Sequence, residues 1–78
     1  MNWREHIEVR PDVMLGKPVF KGTRLTVELI LERLGEGAKE EDLLAAYPRL
    51  RPDHIRAAHA YAAAALSADE MVFLPEAG

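Results

Sequence analysis

Three groups of residues have the types and spacing to do chemistry. The first is GKPVFKGTRLTVE, residues 16–28, where two glycines enclose Lys17 and Lys21, with Arg24 just beyond. Glycine-rich loops can cradle phosphate through their backbone N–H groups. A nucleotide-binding loop of that kind needs four residues between its glycines and a lysine directly after the second. Here five residues separate Gly16 from Gly22, and Thr23 rather than lysine follows. The pattern fits a hairpin better. Glycine frees the backbone at its turns and Pro18 stiffens an edge. The three cations could still touch phosphate as an arm.

The second group is RLRPDHIRAAH, residues 49–59. Arg49, Arg51 and Arg56 stand with His54 and His59 against the single acid Asp53. Arginine is the commonest reader of guanine. The first turns of a second helix are the part of a helix-turn-helix that enters the major groove. The alternative is a plain helical bundle with a solvated basic face. A metal site is not expected. His54 and His59 are five apart, not the i, i+4 spacing of paired helical ligands, and His6 stands alone. Nor is catalysis. The only serine is Ser67, cysteine is absent, and Thr23 and Thr26 sit at a turn and a cap. No nucleophile lies beside a base, and no cofactor is implied.

The third group is acidic. Glu28, Glu32 and Glu36 recur at i, i+4 along one helix flank. They form either a solvated face or a docking surface for a basic partner.

These groups must be positioned by a very short chain. Seventy-eight residues make one small domain, and a domain of this size buries only about 60% of its unfolded surface. Without cysteine there is neither a disulfide nor a cysteine zinc site to staple it. Packed helices must supply stability, with a homodimer as the expected reinforcement. The formal net charge of −3 argues against indiscriminate nucleic-acid binding. Local charge steers more than the sum, however, and residues 16–24 and 49–59 are basic. The N-terminus lacks an apolar core of signal-peptide length, and no run reaches the about 18 apolar residues of a membrane span. A cytoplasmic protein is the expectation.

The spacing predicts an extended arm over residues 1–15, with Ile7, Val9, Val13 and Leu15 alternating and Pro11-Asp12 as a turn. Val19-Phe20 reads as a second short strand and Gly22 as a second turn. A first helix starts near Thr26, which caps it, with Leu25 and Ile30 as a hydrophobic staple. Val27, Ile30, Leu31 and Leu34 give its buried stripe, and Gly35 and Gly37 end it. A second helix covers residues 39–47, with Glu40, Glu41 and Asp42 in the first turn, where the dipole favours negative charge. Pro48 stops it. A third runs over 52–67 from Pro52, with Ile55, Ala58, Ala62 and Leu66 as its core stripe. The expected architecture is mainly α: a three-helix bundle whose second and third helices suit a helix-turn-helix, with a short N-terminal β-hairpin arm. Residues 1–25 form the arm, 26–67 the core and 68–78 an apolar tail. In that tail Met71, Val72, Phe73 and Leu74 are candidate partner-binding residues.

The GKPVFKGTRLTV hairpin, the helix ending in EG, the YPRL turn and the IRAAHAYA helix occur together over about 50 residues. That combination resembles a bacterial and archaeal family catalogued as domain of unknown function 433. The resemblance implies a homeodomain-like helix-turn-helix with a β arm. It also implies an antitoxin-like, non-catalytic DNA-binding regulator, often encoded beside a small PIN-like nuclease toxin. On that reading Arg51, His54, Arg56 and His59 face duplex DNA, and Arg49, Lys17, Lys21 and Arg24 grip phosphate. The alternative is a protein-interaction module that binds and neutralises the nuclease without touching DNA. The chain departs from the family pattern at two caps. Lys39 stands where relatives often have serine, and Arg51 where they often have threonine. Each loses a side-chain cap worth about 1 kcal/mol, and each puts a cation at a positive helix end.

An anionic partner for Arg51 would account for that cost. Arg51→Thr is therefore expected to stabilise the fold by about 1 kcal/mol in urea denaturation while weakening DNA binding. A stabilised variant with unchanged affinity removes the reason for the arginine.

Overall fold

The structure is a computed structural model and describes residues 1–67. Its arm is a hairpin of two three-residue strands, β1 (Ile7–Val9) and β2 (Pro18–Phe20). They pair antiparallel, Ile7 opposite Phe20, Glu8 opposite Val19 and Val9 opposite Pro18. Two such strands are not stable alone in water. They persist because Ile7 and Phe20 are buried in one core with the helices. Val19, on the other face, is also fully buried and bridges to Thr26. Pro18 opens β2, a position where proline's missing N–H does least harm.

The expected arm over residues 1–15 is only partly extended. Trp3–Glu5 form a single 3-10 turn, started by Asn2, whose side chain accepts the Arg4 N–H at 3.1 Å. Trp3 then meets the Tyr61 ring edge-on at 4.8 Å, a long-range contact that alternation cannot reveal. Val9 is 60% exposed and Leu15 94% exposed, so the alternating pattern does not mark a buried face beyond Ile7. Residues 14–16 instead make a tight turn with three successive positive φ angles, at Met14, Leu15 and Gly16. Only glycine takes that conformation freely, so the two preceding side chains carry local strain.

The first helix, α1 (Val27–Gly35), begins as its cap predicts: Thr26 Oγ1 accepts the Leu29 N–H at 3.0 Å. Val27 and Ile30 are buried, and Leu25, Leu31 and Leu34 pack against the core while half-exposed. Gly37 turns the chain with a φ of 104°. The second, α2 (Glu40–Ala46), buries Leu43 and starts without a side-chain acceptor at Lys39. Asp42 accepts the Lys39 N–H at 3.2 Å, supplying half of a capping box from within the helix.

The third helix, α3 (Pro52–Ser67), has the predicted bounds but a different core stripe. Ile55 and Ala58 are buried as expected. Ala57 is buried as well, Ala62 is half-buried and Leu66 is 69% exposed. Length explains the difference. At about 1.5 Å per residue, α1 and α2 cannot flank the whole of α3. Its first half sinks into the core at Ile55, Ala57 and Ala58, Tyr61 still packs against the core, and residues 63–67 are exposed. The predicted tail, with Met71, Val72, Phe73 and Leu74, lies outside the described residues.

Thr26 is 8% exposed and caps the helix that follows the arm. Thr26→Ala is expected to cost about 1 kcal/mol, read as a lower urea midpoint with unchanged slope, and Thr26→Ser to recover most of it.

Candidate nucleic-acid interface

Two basic segments far apart in sequence meet at one end of the molecule. Phe20 holds the turn between β2 and α1 closed through its backbone. Its N–H donates to Leu25 O at 3.1 Å, and its carbonyl accepts from Thr23 N–H at 3.0 Å and Thr23 Oγ1 at 2.8 Å. The turn thus presents Lys21 and Arg24, both exposed. From the connection between α2 and α3, Arg49 Nη1 donates to Gly22 O at 3.1 Å. This bond spans 27 residues and sets Arg49 against the turn, where it lines one cleft with Arg24. Arg10, which the sequence reading did not single out, joins them along an open cleft that Glu8 and Asp12 also line. Arg10 already contacts Asp12 at 3.6 Å. Only folding reveals this proximity, because Arg10 is isolated among neutral and acidic neighbours in sequence.

Along α3 the candidate readers divide. Arg56 and His59 are exposed and three residues apart, near neighbours on one face of a helix. Arg56 lies 3.9 Å from Asp53, with both side chains well exposed. Such a pair is worth little and opens readily. Arg51 is exposed just ahead of the helix.

His54 departs from the expectation that it faces DNA. It is half-buried, with its ring 5.0 Å from the Phe20 ring and 6.0 Å from the His6 ring. Its Nδ1 accepts the Arg51 N–H at 3.0 Å. This is the capping-box bond, made by histidine at the position where glutamate or glutamine usually serves. The bond requires an unprotonated Nδ1 and puts the ring proton on Nε2. Burial lowers the His54 pKa below its ordinary 6.5, and His6 and Arg51 push the same way, against a smaller opposing pull from Asp53.

Lys17 is paired. Its Nζ lies 2.9 Å from Glu28 Oε1, and that hydrogen bond raises its pKa. The lysine is thereby engaged with the acidic flank of α1. Glu28 and Glu32 on that flank rim an apolar groove with Pro18, Val27, Leu31 and Tyr61. A second apolar groove, floored by Leu25, Tyr47 and Pro48, is rimmed instead by Arg24 and Arg49. Among the described residues no three histidine or acidic side chains gather as a metal site, and no helix is long and apolar enough to cross a membrane.

A family model described as "Protein of unknown function (DUF433)" matches residues 7–62. The uncharacterized protein y4eO of Sinorhizobium fredii (strain NBRC 101917 / NGR234) is 38% identical over 61 residues. That alignment takes in 78% of this chain but only 28% of y4eO, so the chain spans little more than a quarter of its relative. The crystal structure of a DUF433 member from Anabaena variabilis ATCC 29413 superposes with a TM-score of 0.68 at 33% identity. The match covers 70% of this chain and 55% of the Anabaena one.

The lowered His54 pKa has a defined consequence for stability. Between the folded pKa and 6.5 the unfolded chain binds more protons than the folded one, so stability rises with pH through that window. It is fully present above 6.5 and declines as pH falls toward the folded value. His54→Gln keeps an acceptor for the Arg51 N–H and removes the titration. Urea midpoints measured from about pH 7.5 to about pH 5 are expected to fall less in this variant than in the parent. Equal declines would place the titration elsewhere.

Proposed function

The chain belongs to the DUF433 family of proteins of unknown function, and from that premise we propose that it is a non-catalytic module that binds duplex DNA. The proposed role is that of an antitoxin-like regulator in a toxin–antitoxin-type pair, acting in the cytoplasm. One observation carries the reading: the bond from Arg49 to Gly22 O, which joins the basic turn of the arm to the connection that leads into α3. Lys21, Arg24 and Arg49 supply phosphate contacts that fix register without reading sequence. Arg56 and His59, on the open face of α3, are the base readers, with Arg51 at the helix start. His54 leaves the contacting set and instead holds the backbone from which Arg51 projects. Lys17 stays a phosphate candidate, since its exposed pair with Glu28 opens as readily as that of Arg56 with Asp53.

The alternative, a module that neutralises a PIN-like nuclease, draws support from the groove of Pro18, Leu31 and Tyr61 under Glu28 and Glu32. An apolar floor with an acidic rim suits a basic, amphipathic segment of a protein. It does not suit nucleic acid.

Fluorescence anisotropy with a duplex from upstream of the gene, against a scrambled duplex at two salt concentrations, tests the DNA reading. Preference for the upstream duplex, weakening with salt, is expected. Arg56→Ala is expected to cost about 1–3 kcal/mol on the preferred duplex and to lose discrimination. Lys21→Ala is expected to weaken both duplexes alike and to reduce the salt slope by about 1. Unchanged affinity in both variants rejects the surface.

A further inference from the structure

We propose that the groove of Leu25, Tyr47 and Pro48 with its rim of Arg24 and Arg49 binds a nucleotide of a single-stranded nucleic acid, the phosphate on the two guanidinium groups and the unpaired base on the Tyr47 ring. Arg24 and Arg49 line two depressions at once, the open cleft that includes Arg10 and the apolar groove that includes Tyr47. A place for an anion therefore adjoins a place for a planar apolar ring. Every nucleotide carries one phosphate and one such ring in the same unit, and single-strand binders combine a basic track with aromatic platforms. Among the described residues neither Arg24 nor Arg49 is in a salt bridge. Arg49 gives an N–H to Gly22 O, which fixes its place at the turn, and keeps its other guanidinium donors. Lys21, exposed on the same turn, offers a cation to a neighbouring phosphate.

The platform is held by the core. The Tyr47 N–H donates to Leu43 O at 2.9 Å, and the Tyr47 carbonyl accepts the Leu50 N–H at 2.8 Å. Leu43 and Leu50 are both buried, so the backbone that carries the half-exposed ring is anchored on each side. Pro48, exposed next to it, adds apolar surface without a flexible side chain. A strand fits this place better than a free nucleotide does. The groove is shallow, and a small ligand needs most of its surface enclosed, whereas a strand adds contacts along its length. An acidic peptide matches the same rim only where its sequence sets an acid beside a ring. A duplex keeps its bases stacked inside and offers the floor nothing. The proposal therefore does not rest on the duplex reading, although both use Arg24 and Arg49.

Titration of the isotope-labelled full-length chain with single-stranded oligothymidylate, followed by amide chemical shifts, tests this. The amides of Leu25, Tyr47 and Arg49 are expected to move. An abasic strand of the same length keeps the phosphates and removes the rings. It is expected to bind at least about fivefold more weakly and to leave the Tyr47 amide in place. Tyr47→Leu keeps apolar bulk without the ring, and is expected to lose a similar factor toward oligothymidylate and none toward the abasic strand. Tyr47→Phe is expected to bind as the parent does. Equal affinity of the parent for the two strands would overturn the proposal, and that comparison involves no variant that could fail to fold. Movements centred on Trp3 and Tyr61 would overturn it as well. So would thymidine 5′-monophosphate, a glutamate–tyrosine copolymer or the scrambled duplex, if any of them moved Tyr47 as far as the single strand does at equal concentration. The upstream duplex is measured separately through Arg56 and His59. Its failure leaves the single-strand result standing, and failure here leaves the duplex reading to its own test.

Discussion

The burial of Phe20 is the constraint on which the rest depends. Its ring is fully enclosed, paired across the hairpin with Ile7 and packed against the first turn of α3 through His54. Enclosing a ring of this size is worth about 1.5–3 kcal/mol, a large share of what so small a domain can hold in reserve. The same residue's N–H and carbonyl close the turn that follows it. One buried side chain thus holds the arm to the helices, and one peptide unit sets where Lys21 and Arg24 stand. Arg49 can reach Gly22 O only because that turn is closed.

Charge is distributed so that a chain of net charge −3 has both a basic end and an acidic flank. The ion pairs among the described residues are all exposed and add little stability. Their effect is on the field. Lys17 is absorbed by Glu28, which sharpens the boundary between the acidic flank of α1 and the basic turn. Two shallow apolar grooves thus have rims of opposite sign, although their floors are chemically alike. Salt screens that difference, as expected for exposed charge.

The third helix divides the molecule in another way. Its first half is locked by Ile55, Ala57 and Ala58, and its last residues, 63–67, are exposed. In the locked half, the cap formed by His54 makes the start of α3 sensitive to protonation.

Much of the architecture was legible in the residues because it is local. Thr26, Gly35 and Gly37, Pro48 and Pro52 mark helix ends through backbone chemistry that acts within a few residues, so the three helices fall where their signals stand. The short hairpin and the exposed pair Arg56 and His59 were legible for the same reason, since helical spacing assigns them to one face. Contacts between distant segments were not. Trp3 on Tyr61, His54 between Phe20 and His6, Lys17 on Glu28 and Arg10 beside Arg49 each join residues whose proximity no local pattern records. Ala57 falls outside the predicted stripe because a single-stripe pattern assumes neighbours on one side of a helix, whereas α3 is flanked on two at its start. The sequence by itself determined which segments are helical, where they begin and which residues carry charge. The tertiary structure decided which charges are spent on each other and which remain for a partner, because that depends on distances set by packing rather than by position along the chain.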